Sequence, residues 1–222
     1  MYVEVNGISL FYEKCGQGFP LILLHGNGED HHIFDKLVEK LQKHFCVYAL
    51  DSRNHGCSSK NHELSYDAMA EDVYGFICAL ELGKINFIGF SDGAIVALSL
   101  ALKHEEMVES MALLGLNLKP SDFTEESYLF VKDSFEKTGD PLFKLMLEQP
   151  NIELEEIRKV SASVFLIAAE NDIYRPEVFI EMLDAFPDVE SLIMQGHDHG
   201  SYILNQDILY PDLLRFFSKS NA

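Results

Sequence analysis

Two β-prone runs, Tyr2 to Val5 and Ile8 to Tyr12, are separated by Asn6-Gly7. Both residues of that dipeptide accept positive φ, so the chain opens on a predicted hairpin. Pro20 to Leu24 is apolar without alternation, the pattern of a strand buried on both faces. Ile33, Leu37, Val38 and Leu41 recur at helical spacing and predict an amphipathic helix over 31–44. Cys46 to Leu50 reads as another short buried strand. Ser65 is placed to cap a helix that carries Met69, Val73, Phe76, Ile77 and Leu80 on one face, with Gly83 as its stop. Ile85 to Phe90 is a strand, Ala94 to Leu102 an apolar helix, and Ser110 to Leu116 and Ser163 to Ala169 further strands. A helix opening at Pro176 puts Val178, Phe179, Met182, Leu183 and Phe186 on one side. Val189 to Met194 is the last strand and Pro211 to Phe217 the last helix.

Strands alternating with helices predict an α/β fold with a mainly parallel sheet, helices on both faces and the opening hairpin as an antiparallel edge. Residues 119–160 break the rhythm. They are charged and helix-prone, and hold Phe123, Tyr128, Phe130, Phe135, Phe143 and Met146 without a convincing strand. An insertion at the carboxyl end of a strand in such a sheet sits where ligands bind. The expectation is one domain over 1–222, with 119–160 as a short helical cap, or lid, within it.

Composition narrows the partners. The 222 residues are 47% apolar and 24% charged, which is ordinary for a globular chain that buries a sizeable core. Lys and Arg number 17 against 36 Asp and Glu, a net charge of −19. That balance repels nucleic acid and anionic membrane, so neither is expected as a partner. Residues 1–60 are nearly balanced, and the excess acid is spread over the rest. No apolar run approaches the ~18 residues of a membrane helix. Met1 to Val5 has no basic head or apolar signal core, which points to the cytoplasm. Cys15, Cys46, Cys57 and Cys78 form no C-x-x-C pair and read as fillers or bystanders in a reducing compartment. No metal and no organic cofactor is expected.

The chemistry is concentrated in four places. Gly89-Phe90-Ser91-Asp92-Gly93 fits G-x-S-x-G between a buried strand and an apolar helix, the context in which a strained serine is exposed above the strand ends. A serine nucleophile needs a base and a group to orient it. Asp172 follows a strand in Glu170-Asn171-Asp172, with Glu170 as its neighbour and rival. Two histidines follow the last strand, in Gln195-Gly196-His197-Asp198-His199-Gly200, and spacing alone does not choose between them. His25-Gly26-Asn27-Gly28 follows an earlier strand with small residues that let backbone N–H groups face a site. A tetrahedral oxyanion needs two such donors, assigned to the N–H groups of Asn27 and Asp92. His25, Gly26, Gly28 and His197 are candidate pocket residues. His31 and His32 read as the solvent-facing start of a helix, and His44, His62 and His104 as surface.

These segments, taken in order with Asp51-Ser52-Arg53-Asn54-His55-Gly56-Cys57-Ser58, resemble the α/β-hydrolase superfamily along nearly the whole chain outside 119–160. The last segment is similar to the family's D-x-R-G-H-G-x-S, with Asn54 where glycine is usual. Asn tolerates the left-handed turn, and the resemblance makes Arg53 and His55 structural. Family members often place the catalytic histidine three residues after a glycine closing the last strand, so Gly196 points to His199. The elbow is similar to that of valacyclovir hydrolase-like esterases. Ser91 at its centre argues against the Asp-nucleophile branches, the dehalogenases and epoxide hydrolases. The resemblance implies a serine hydrolase of a small carboxylic ester or related acyl compound, with Ser91, His199 and Asp172 as its triad and an acyl-enzyme intermediate. A thioesterase, a C–C hydrolase or a cofactor-free perhydrolase would use the same triad. From another class, a small-ligand receptor could retain the hydrolase pocket. A homo-oligomer stays open.

Overall fold

The computed structural model describes residues 1–220. Strands β1 (Tyr2–Val5) and β2 (Ile8–Cys15) form the hairpin, turned by Asn6 and Gly7 at φ 49° and 77°. Then follow β3 (Phe19–Leu24), α1 (Asp35–Leu41), β4 (Phe45–Leu50), α2 (Tyr66–Ala79), β5 (Ile85–Phe90), α3 (Asp92–Lys103) and β6 (Val108–Leu114). Helices α4 (Glu125–Thr138), α5 (Pro141–Glu148) and α6 (Leu154–Ile157) occupy the expected insertion. The chain closes with β7 (Ser163–Asn171), α7 (Pro176–Ala185), β8 (Val189–Asp198) and α8 (Tyr210–Ser220).

The eight strands form one sheet in the order β1-β2-β4-β3-β5-β6-β7-β8. β2 runs antiparallel to both neighbours, and β3 to β8 are parallel. The unbroken apolar runs have their reason in the two faces. In β3, Ile22 and Leu24 join the core under α2, α3 and α7, whereas Leu21 and Leu23 join the core under α1 and α8. Period-2 geometry sends neighbours to opposite sides, so both must be apolar. A third, small cluster joins Phe123 and Val131 to Tyr174, with Phe143 and Met146 packed on it, and ties the 119–160 segment to the loop before α7.

Several boundaries differ from the sequence expectation. The helix expected over 31–44 is a 3₁₀ turn, His31–Phe34, followed by only seven α-helical residues. Asp30 caps the turn through the His32 N–H, and buried Asp51 takes both the N–H and the ring Nδ1 of His31, at 2.9 and 2.7 Å. His31 is therefore 4% exposed, a structural residue and not a solvent-facing one. Gly83 does not stop α2. Glu81 takes the left-handed conformation at φ 52°, and the Leu82 N–H returns to the Ile77 carbonyl at 3.1 Å. β6 stops at Leu114, because Gly115 turns at φ 59°. β8 runs on to Asp198, so Gln195 to Asp198 ends the edge strand and is not a loop; its register shifts opposite Ala169 to Asn171.

Asn54 adopts φ 65°, so the turn it enters survives the missing glycine. Beside it, buried Arg53 makes a two-pronged ion pair with Asp72 of α2, at 2.6 and 2.7 Å. All four cysteines are free thiols. Among the described residues, no helix is long and apolar enough to cross a membrane.

Candidate active site

Ser91 sits between β5 and α3 at φ 52°, ψ −116°. A side chain rarely tolerates that backbone, and the surroundings hold it there. Its N–H is fixed to the Leu114 carbonyl at 2.8 Å. A Cβ on Gly89 would lie 2.4 Å from the Gly93 carbonyl oxygen, and one on Gly93 would lie 2.0 Å from the Leu24 carbonyl oxygen. The two glycines of the motif are thus required by contact between strand, turn and helix.

Two distant loops reach this serine. His199 Nε2 lies 3.1 Å from Ser91 Oγ, and His199 Nδ1 lies 2.7 Å from Asp172 Oδ1. Asp172 also accepts the N–H groups of Ala169 and Ile173, at 3.0 and 2.8 Å. Burial alone would raise its carboxyl, yet the hydrogen bond and charge of His199, with those two N–H groups, hold it below the usual carboxylate range. An ionised Asp172 keeps the proton on Nδ1 and leaves Nε2 free to accept from Ser91. The imidazole is held by Phe90, Tyr174 and the backbone of Gly115, where an added Cβ would come 2.6 Å from His199 Cε1.

The rival groups point elsewhere. His197 Nδ1 is 3.1 Å from Ser201 Oγ, and His197 does not line the cleft that holds Ser91 and His199. Glu170 accepts the Gly196 N–H at 2.7 Å. Sheet geometry separates Asp172 from Glu170, because Glu170 still belongs to β7 and faces its neighbour β8.

The turn after β3 approaches from the other side. Among the described residues, the N–H groups of Asn27 and Asp92 have no protein acceptor. The Asn27 side chain donates to Asp92 Oδ2 at 2.9 Å and to the Leu142 carbonyl of α5 at 3.3 Å. Tyr66 donates to Asp92 Oδ1 at 2.8 Å. Burial raises the Asp92 carboxyl even against these two donors. His25 and Gly26 lie beneath the turn and not in the cleft. His25 Nε2 accepts the Ser52 N–H at 3.0 Å and its Nδ1 donates to the Gly26 carbonyl at 2.8 Å. Burial and the neighbouring His55 lower its pKa to about 4. Gly28 does line the cleft, and its N–H donates to His55 Nε2 at 3.1 Å.

The cleft has a volume of about 630 Å³ and opens on Ser91 and His199. Its apolar wall includes Phe90, Leu142, Phe143, Met146, Ile173 and Leu204. A second cavity of about 370 Å³ lies between β7 and α7, beyond Asp172, and is lined by neither Ser91 nor His199. Three further residues take part here that sequence reasoning passed over. Gly115 seats the His199 ring, and its only signal was a glycine at a strand end. Tyr174 packs on that ring, and Glu29 enters the cleft, neither with any local signal.

Residues 20–142, more than half of the chain, match the family model for the alpha/beta hydrolase fold. The chain belongs to the α/β-hydrolase family. Its sequence is 33% identical to an sn-1-specific diacylglycerol lipase of Danio rerio, over 93% of this chain and 71% of that one. It is 29% identical to a 2-hydroxy-6-oxo-6-(2'-aminophenyl)hexa-2,4-dienoic acid hydrolase of Metapseudomonas resinovorans, over 98% of this chain and 90% of that one. The structure of a thermophilic esterase from Thermogutta terrifontis superposes with a TM-score of 0.81 at 19% identity, covering 100% of this hydrolase-family chain and 97% of the esterase. That likeness is one of fold.

Proposed function

We propose that this α/β-hydrolase is a serine hydrolase acting on a small carboxylic ester or related acyl compound. The observation that carries the reading is the chain of contacts from Ser91 Oγ to His199 Nε2 and from His199 Nδ1 to Asp172, at 3.1 and 2.7 Å, on a serine held at positive φ. Ser91 attacks the substrate carbonyl as His199 takes its proton. Asp172 keeps the imidazole in the required tautomer and stabilises its cation. The N–H groups of Asn27 and Asp92 receive the developing oxyanion, each worth about 10²–10³ in rate. His199 then protonates the leaving alcohol, and water releases the acyl group from Ser91 by the same route. Residues 119–160 act as a short cap, with Leu142, Phe143 and Met146 of α5 forming one wall over the serine.

Ser91→Ala and His199→Ala are expected to abolish ester turnover and labelling by a fluorophosphonate, and His197→Ala to keep most of both. Full activity in Ser91→Ala, or loss in His197→Ala with retention in His199→Ala, overturns the assignment. The similarity to a dienoic acid hydrolase keeps a C–C hydrolase as the second reading. Ranking esters, thioesters and vinylogous diketones by kcat/KM separates the two.

A further inference from the structure

Glu29 has no part in the mechanism above, yet its carboxyl lines the cleft with Ser91 and His199. Its position is built by the turn itself. The Gly26 N–H donates to Glu29 Oε2 at 2.9 Å, and the Glu29 N–H returns to the Gly26 carbonyl at 3.3 Å. The point where a Gly26 Cβ would stand is 2.9 Å from Glu29 Oε2 and 3.2 Å from Ser91 Cβ. The carboxyl is therefore held on the turn that packs against Ser91. Among the described residues, its second oxygen, Oε1, has no hydrogen-bond partner.

The rest of the lining sharpens this. Glu29, Asp140 and Asp198 are the ionisable carboxyls of the cleft wall, and no Lys or Arg accompanies them. Asp140 caps α5 through the Leu142 N–H, and Asp198 is held by the N–H groups of Gly200 and Ser201. Each of the three keeps one oxygen without a protein partner among the described residues, and Glu29 is the one held in the turn that packs against Ser91. A half-buried carboxylate with an unmade hydrogen bond gains from any donor a substrate brings, and a second carboxylate beside it meets both repulsion and uncompensated desolvation.

We propose that Glu29 sets the substrate class of this site: it takes acyl compounds that present a hydroxyl or ammonium donor near the scissile carbonyl and rejects those that carry a carboxylate there. The proposal rests on the serine-hydrolase reading. Missing interactions of this kind discriminate strongly, because a buried polar group is left unpaired when the wrong substrate binds.

The pH dependence supplies an independent arm. Burial pushes the Glu29 carboxyl up to about 7, with Asp92 and Asp30 adding to the rise and the Gly26 N–H and His199 opposing it. The carboxyl thus ionises across the neutral range, and discrimination against a carboxylate should widen from pH 6 to pH 8. His199 acts on every substrate alike, so it cancels in a ratio of two substrates.

The test is a matched series of benzyl esters whose acyl chains end in a methyl, hydroxyl, ammonium or carboxylate group, with kcat/KM measured at pH 6 and pH 8. In the wild type, the carboxylate ester is expected about 100-fold below the methyl ester at pH 8, with a smaller gap at pH 6, and the ammonium ester to lead. Glu29→Gln keeps an acceptor for the Gly26 N–H and is expected to shrink the carboxylate gap about tenfold and to remove its pH dependence. Equal turnover of methyl and carboxylate esters, or a gap that Glu29→Gln leaves in place, overturns the proposal while the hydrolase reading stands. If Glu29→Gln does not fold, the wild-type pH arm decides, and a gap that stays constant from pH 6 to 8 overturns it. Wild-type protein that hydrolyses no ester removes the hydrolase reading and this proposal together.

Discussion

Two groups around the β3 turn, buried His25 and half-buried Glu29, titrate in opposite senses, and their opposition can be measured. His25 is fully buried and its pKa is lowered from 6.5 to about 4, so below pH 6.5 the unfolded chain takes up a proton that the folded chain refuses. Glu29 is raised from 4.5 to about 7, so below pH 7 the folded chain binds a proton that the unfolded chain does not. Stability rises with pH wherever the unfolded state binds more protons. His25 therefore costs stability as pH falls from 6.5 to 4, and Glu29 adds stability as pH falls from 7 to 4.5. At about 1.36 kcal/mol per pKa unit, each contributes about 2 kcal/mol between pH 7.5 and 5, with opposite sign. The carboxylates held low, Asp172 and Asp51, act only at more acid pH. Urea unfolding at pH 7.5, 6.5, 5.5 and 5.0 is the assay. Relative to the wild type, Glu29→Gln is expected to lose about 2 kcal/mol between pH 7.5 and 5.0, and His25→Gln to gain about 2 kcal/mol. His25→Gln keeps an acceptor for the Ser52 N–H, and only the slope with pH is read. If all three proteins follow parallel profiles, the assigned burial of these two groups is wrong.

Other perturbations follow from single contacts. Gly115→Ala places a Cβ 2.6 Å from His199 Cε1 on a backbone at φ 59°; it is expected to lower ester kcat/KM by about 10²-fold at a stability cost of only about 1 kcal/mol, read by kinetics and thermal melting together. Asp172→Asn keeps the shape but favours the wrong His199 tautomer, so kcat should fall by about 10⁴ in steady-state assays. Asp72→Ala leaves the Arg53 guanidinium buried without its partner, and a loss of about 3–5 kcal/mol in urea unfolding is expected; a loss below 1 kcal/mol would mean that water replaces the carboxylate.

The fold was legible wherever its cause is local. Asn6-Gly7 makes its hairpin, Ser65 caps α2 through the Ala68 N–H at 3.1 Å, and β3 is apolar throughout because both its faces are covered. Boundaries failed where a long-range bond set them. Asp51 shortens the helix after His31, and the pairing of β8 with β7 draws Gln195 to Asp198 into the strand. The elbow was legible because strand, glycine, serine and helix are neighbours in the chain, and its strain is local to Ser91.

The sequence by itself determined the order of the elements, the serine at the elbow and the two short loops from which partners for it could come. Only the tertiary structure decided which side chains meet. His199 and Ser91 are 108 residues apart and His199 and Asp172 are 27 apart, and their contact depends on β5, β6, β7 and β8 lying in register with Gly115 leaving room for the ring. The same register turns His197 toward Ser201 and Glu170 toward Gly196. Glu29 looks like any turn acid in the sequence and becomes a cleft residue only because the Gly26 N–H draws its carboxyl inward. Turn chemistry and periodicity act over a few residues, so a sequence displays them directly. The direction in which a side chain points across a sheet is set by strand register and burial, which exist only once the chain is folded.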